Sequence, residues 1–154
     1  MNLRFTILLM AIFSVKAITG FSQQGSKTDS LIMRLKGAST TYDKVLLLNS
    51  IAGNLNSTKN DTAIKLCYEG LWLSEKTGND SLTAVCYKCL ISAYFQKARF
   101  EDSAIYFIPL FRKFAEGRNF LKLEYEGYMS IAEVYLKVHN WPQSTVYFQL
   151  AMQT

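Results

Sequence analysis

The chain has 154 residues, 49% of them hydrophobic and 14% aromatic, with a formal charge of +5. This composition excludes a disordered chain, and with 2 Pro and 8 Gly it suits long helices better than a turn-rich β fold. The lysines and arginines form no run and no basic face with interleaved aromatics, so nucleic-acid binding has no support, and the length allows one domain.

Residues 1–22 read as an address. Arg4 gives a basic start, Phe5 to Val15 is apolar, and Thr19-Gly20-Phe21-Ser22-Gln23 is a polar exit with small residues at Gly20 and Ser22. This is the layout of a cleaved secretory signal, with the cut expected after Ser22. Lys16 interrupts the apolar run short of the ~20 residues that a spanning helix needs, which disfavours an uncleaved anchor. No Cys follows the run to carry a lipid. The mature chain is therefore expected in the periplasm or cell envelope without membrane insertion, and it keeps 15 basic against 12 acidic groups. Residues 23–28 are a polar lead-in with no reason to be ordered.

Asp29 to Gly37 predicts a short helix with a polar start and a glycine stop, in which Leu31, Leu35 and Ile32 could cover the open end of the helices after it. A second helix is predicted from Tyr42 or Asp43 to Leu55, with Val45, Leu48, Ile51, Ala52 and Leu55 in one stripe. Asn54 to Asn60 is a turn by composition. A third helix, Asp61 to Thr77, carries Ala63, Ile64, Cys67, Tyr68, Leu71 and Trp72, and Gly78 stops it. Asp80 or Ser81 is the expected cap of a fourth helix, Ser81 to Gln96, which presents Tyr87, Leu90, Ile91 and Tyr94. Lys97-Ala98-Arg99 is the next turn. A fifth helix, Phe100 to Glu116, carries Ala104, Phe107, Phe111 and Phe114, and Pro109 within it predicts a bend or break near Tyr106 to Ile108. A sixth runs from Phe120 to Val138, and Trp141-Pro142 opens a seventh through Val146, Phe148, Leu150 and Ala151.

These segments copy one hairpin. Ala63, Ser103 and Ser144 occupy the same small-residue slot at spacings of 40 and 41, and Cys67, Phe107 and Phe148 follow four residues later. In the first helices Leu48, Ile51, Ala52 and Leu55 answer to Tyr87, Leu90, Ile91 and Tyr94, then to Tyr128, Ile131, Ala132 and Tyr135. Between the second and third pairs every one of these offsets reads as 41. A period of this size, with small residues where helices cross closely, marks a helical solenoid.

The segment Tyr87-x2-Leu90-Ile91-x2-Tyr94-x5-Phe100-x2-Ser103-x3-Phe107 resembles the tetratricopeptide repeat consensus. Tyr128-x2-Ile131-Ala132-x2-Tyr135-x5-Trp141-x2-Ser144-x3-Phe148 is similar to it as well. The period is longer than the family's usual one, Ile91 replaces a small residue, and the closing proline is absent; the long period fits the extended variants. The resemblance implies an all-α, right-handed solenoid over residues 29–154: an N-terminal helix (29–37) and repeats at 42–78, 80–117 and 120–154. Together with the signal, it looks like the exported sensory region of bacterial signalling proteins. It implies a protein or peptide as partner, with no nucleic acid, no cofactor and no catalysis. The groove strip carried over by motif position is Asn49 and Gly53, then Lys88, Ser92 and Phe95, then Met129, Glu133 and Leu136. The apolar pattern still runs at Thr154, so the last helix is expected either to continue into further repeats or to pair with a second copy, as a free-standing scaffold would.

Little points to chemistry. Cys86-x2-Cys89 has the spacing of a thiol redox pair, but it falls inside a helix, with no second such pair and no strand before it, so helix packing is the expectation. Three cysteines in an exported chain leave one over and argue against a disulfide framework, although Cys67 could face Cys86 or Cys89. His139, the only histidine, falls in a turn, and Glu124, Glu126 and Glu133 read as a solvated face. A metal site is not expected.

Overall fold

The computed structural model describes residues 27–55, 59–97 and 101–154, and over these the chain is all-α. Seven helices are described: α1 (27–36), α2 (Thr41–Leu55), α3 (Asn60–Thr77), α4 (Asp80–Gln96), α5 (Glu101–Ala115), α6 (Leu121–Lys137) and α7 (Trp141–Gln153). The signal segment with its cut, most of the lead-in, the centre of the turn between α2 and α3, and Ala98, Arg99 and Phe100 lie outside the described residues.

Local chemistry sets the helix ends. Thr40 Oγ1 accepts from the Asp43 amide at 3.0 Å and opens α2. The cap of α4 is Asn79 rather than Asp80 or Ser81: its side-chain oxygen accepts from the Leu82 amide at 3.1 Å, because Gly78 turns the chain at φ 63° one residue earlier. Asn140 caps α7 by accepting from the Gln143 amide, and Pro142 falls in the first turn, where a missing N–H costs nothing.

From α2 onward each helix packs on the next, so the described part of the chain is a series of adjacent pairs. In addition α2 packs on α4 and α4 on α6, whereas the backbones of α3 and α5 stay apart and meet only through side chains such as Tyr68 and Phe107, and α5 reaches α7 only where Arg112 lies 6.0 Å from the Tyr147 ring. Leu31 and Leu35 of α1 are half-buried at the α2 end of the series, and Ile32 is exposed.

The expected one-sided stripe of α4 is an underestimate. Leu82, Thr83, Ala84, Cys86, Tyr87, Cys89, Leu90, Ile91 and Ala93 are all buried, because α4 is the one described helix that packs on four others, α2, α3, α5 and α6. In α3, by contrast, the predicted stripe is too wide: Tyr68 and Trp72 are 43% and 56% exposed, and Gly70 and Ser74 are buried instead. Lys76 lies over the Trp72 ring at 3.4 Å.

The break expected near Pro109 does not occur. α5 is continuous across it, the ring is exposed, and Ala104, Phe107, Ile108, Phe111 and Ala115 are buried on the other side. Each large apolar side chain withdrawn from water contributes roughly 1.5–3 kcal/mol, which offsets the one backbone bond that proline removes.

Burial also corrects the repeat register. In the first helices it repeats as read: Tyr87, Leu90 and Ile91 of α4 become Tyr128, Ile131 and Ala132 of α6. In the second helices the buried set Ala104, Phe107 and Phe111 becomes Ser144, Tyr147 and Ala151, an offset of 40 rather than 41. The close-crossing slot of the second pair is therefore Ala104, not Ser103. Tyr147 stacks on Tyr135 at 5.6 Å as Phe107 stacks on Tyr94 at 5.7 Å. Val146 is exposed, and Phe148 is half-buried.

Candidate binding groove

On α2, Leu46, Ser50 and Gly53 recur at helical spacing outside the core stripe, and Val85, Lys88 and Ser92 do the same on α4. Because α2 and α4 pack side by side, these two rows face each other across a groove of about 360 Å³ that Asn49 and Cys89 complete. Four of the eight residues carried over from the family motif, Asn49, Gly53, Lys88 and Ser92, thus come together in one place. A Cβ on Gly53 would meet nothing within 4 Å, so the groove is open on that side.

The charged group of the groove is tied down. Lys88 is hydrogen-bonded and ion-paired to Glu126 of α6, which joins the second hairpin to the third. The other sequence-predicted residues lie along the α4–α6 side. Phe95 gives its carbonyl to Lys137 Nζ at 2.7 Å, and the same ammonium stands 4.9 Å from the Phe95 ring and 3.0 Å from Glu101. Met129 is half-buried, and Glu133 and Leu136 are exposed on α6; none of the three lines this groove. The residues that motif position missed are Leu46, Ser50, Val85 and Cys89, and the signal was available in their spacing of three from Asn49, Gly53, Lys88 and Ser92 respectively.

Asn49 is at the groove edge, but its amide is turned into the core. Its Nδ2 donates to the Val45 carbonyl at 3.1 Å and to Cys86 Sγ at 3.2 Å, and Gly70 of α3 leaves room for it. Its Oδ1 accepts no hydrogen bond among the described residues. Close by, Thr83 donates to Ser74 Oγ at 3.3 Å, so a polar seam runs through α2, α3 and α4.

The thiols sit in this seam. Cys67, Cys86 and Cys89 are all free and buried. Burial pushes the Cys86 thiol up to about 11, and a hydrogen bond with Cys89, together with burial, holds Cys67 far above the ordinary thiol range. An attacking thiol needs the opposite shift and access to solvent. Cys89 donates to the Asn49 carbonyl at 3.8 Å. His139 is exposed in a left-handed turn, φ 58°, with its ring 6.0 Å from that of Trp141. Among the described residues no group of three or more His, Cys, Asp or Glu could hold a metal, and no helix is long and apolar enough to cross a membrane.

Compared with protein-family models, with curated proteins and with solved structures, the chain matches none of them.

Proposed function

We propose that the chain is a non-catalytic protein- or peptide-binding domain, a right-handed α-solenoid of tetratricopeptide-like hairpins that serves as the sensory or interaction region of an exported bacterial envelope protein. The observation that carries the reading is the groove between α2 and α4. Leu46 and Val85 offer apolar contact, Ser50 and Ser92 offer hydroxyls, and Gly53 leaves the backbone open, a mixture suited to an extended or helical peptide. The solenoid is supported by the row α2, α4, α6 and by the recurrence of the buried pattern along it.

Display of a peptide library on the immobilised protein tests the groove. Selected peptides should bind the wild type and lose at least about tenfold in affinity on Gly53→Trp, which fills the open side without touching the core. Peptides indifferent to both Gly53→Trp and Ser92→Trp would remove the groove from the reading. Cys86→Ala with Cys89→Ala should leave that binding intact; loss of an activity with the fold preserved would favour a thiol enzyme instead.

One observation favours a second reading, a free-standing scaffold that pairs through α7. Trp141, Val146 and Met152 are exposed large apolar side chains on that one helix, Met152 at 78%. Light scattering decides: a dimer that Val146→Glu dissociates supports pairing, and a monomer at high concentration ends it.

A further inference from the structure

α3 and α5 both pack on α4 with their backbones held apart, and between them lies a cleft of about 330 Å³ lined by Tyr68, Tyr94, Asp102, Ser103, Tyr106 and Phe107. Phe107 is buried and forms its floor together with Tyr94, the rings stacked at 5.7 Å and 16°. Tyr68 stands edge-on to Phe107 at 6.3 Å, and Tyr106 does so at 5.1 Å and 85°. The Tyr68 and Tyr94 hydroxyls are 3.2 Å apart. These contacts orient the two wall rings even though both are open to solvent, Tyr106 at 66%.

Asp102 lies at the rim in the first turn of α5, exposed, and among the described residues its carboxylate makes no ion pair. The nearby acids differ: Asp61 is held by Lys97 and Glu101 by Lys137. Among the described residues no lysine, arginine or histidine lines the cleft. The chemistry of these lining residues is therefore of one sign, with electron-rich ring faces around a space to which they bring one formal charge, a carboxylate. Burial, with the hydrogen bond between the Tyr68 and Tyr94 hydroxyls second to it, holds the Tyr68 phenol well above its ordinary range, so this ring stays neutral at physiological pH.

We propose that the α3–α5 cleft receives a basic side chain, lysine or arginine, presented by a partner peptide. Cation–π attraction from Tyr68 and Tyr106 and the charge of Asp102 act on the same ligand group, which a purely apolar patch would not select. The site is separate from the α2–α4 groove and stands or falls independently of it.

The experiment is an amide NMR titration of the whole chain with a blocked Gly-Lys-Gly peptide, and with its acetyl-lysine counterpart and choline as comparisons. The lysine peptide should give saturable shifts centred on Tyr68, Asp102 and Tyr106, weakened by added salt, and acetyl-lysine should give none. Asp102→Asn and Tyr106→Ala should each weaken binding about fivefold while leaving the remaining spectrum in place. Equal binding of acetyl-lysine overturns the proposal, as does wild-type affinity in both variants. Choline outcompeting the lysine peptide overturns the assignment to a peptide source.

Discussion

Gly127 of α6 lies flat against the ring of Phe111 of α5, so close that a methyl group on its Cα would overlap three ring atoms, Cζ, Cε1 and Cε2. Phe111 is fully buried and packs edge-on against Tyr128 at 6.4 Å, so the ring has nowhere to go. Gly127→Ala should gain about 1 kcal/mol of helix propensity and lose more by overpacking, for a net destabilisation of roughly 1–3 kcal/mol. Adding Phe111→Leu should recover part of the loss. Denaturant unfolding of the four proteins of that cycle checks it, and additive losses would mean that the two residues do not press on each other.

Pro109 gives the opposite sign. It is exposed in the middle of α5, and its nitrogen has no proton for the Ile105 carbonyl one turn earlier. Pro109→Ala should restore that bond and raise stability by about 1–3 kcal/mol with an unchanged denaturant slope. A neutral or destabilising result would mean that the ring contributes packing the structure does not reveal.

Lys88 and Glu126 tie the second hairpin to the third, with both side chains partly withdrawn from solvent. Glu126→Gln should cost up to about 1 kcal/mol, less at high salt, and should release Lys88 toward the α2–α4 groove. Lys122→Met is the control: that ammonium is 4.0 Å from Glu126 and almost fully exposed, so its loss should be within error of zero. Equal effects of the two changes would contradict the inter-hairpin role.

At the alkaline end, Tyr128 supplies a pH dependence. Burial first, and the charge of Glu116 second, raise its phenol above the ordinary value, and the hydroxyl donates to Glu116 Oε1 at 3.2 Å. The folded state therefore holds its proton where the unfolded chain, titrating near about 10, releases it. Stability should be unaffected below about pH 10 and should fall as pH rises above it. Midpoints of urea unfolding against pH should fall less steeply for Tyr128→Phe, and identical slopes would exclude Tyr128 as the source.

The first helices could be read from the sequence because one stripe of Tyr87, Leu90 and Ile91 has a single arrangement that buries it, and α6 repeats it at the same positions. The second helices could not be registered in that way. Ser103 and Ala104 are adjacent small residues, so spacing alone offers two crossing slots, and only packing against α4 selects Ala104. The groove was half legible: exposed positions beside a core stripe follow from helix geometry, but the inward turn of the Asn49 amide depends on the room left by Gly70. The aromatic cleft was hidden altogether, since Tyr68 has the spacing of a core residue and becomes a wall only because the backbones of α3 and α5 stay apart.

The four-sided packing of α4 has a consequence for how the domain comes apart. In a linear array each unit can open alone at the cost of one interface, but opening α4 breaks contact with α2, α3, α5 and α6 together. Local fluctuations should therefore begin at α7, whose backbone packs on α6 alone and which touches α5 only through Tyr147 and Arg112, and the amides of α4 should exchange with deuterium only through global unfolding. The middle hairpin thus sets the cooperative unit, and the outer hairpins fray from it.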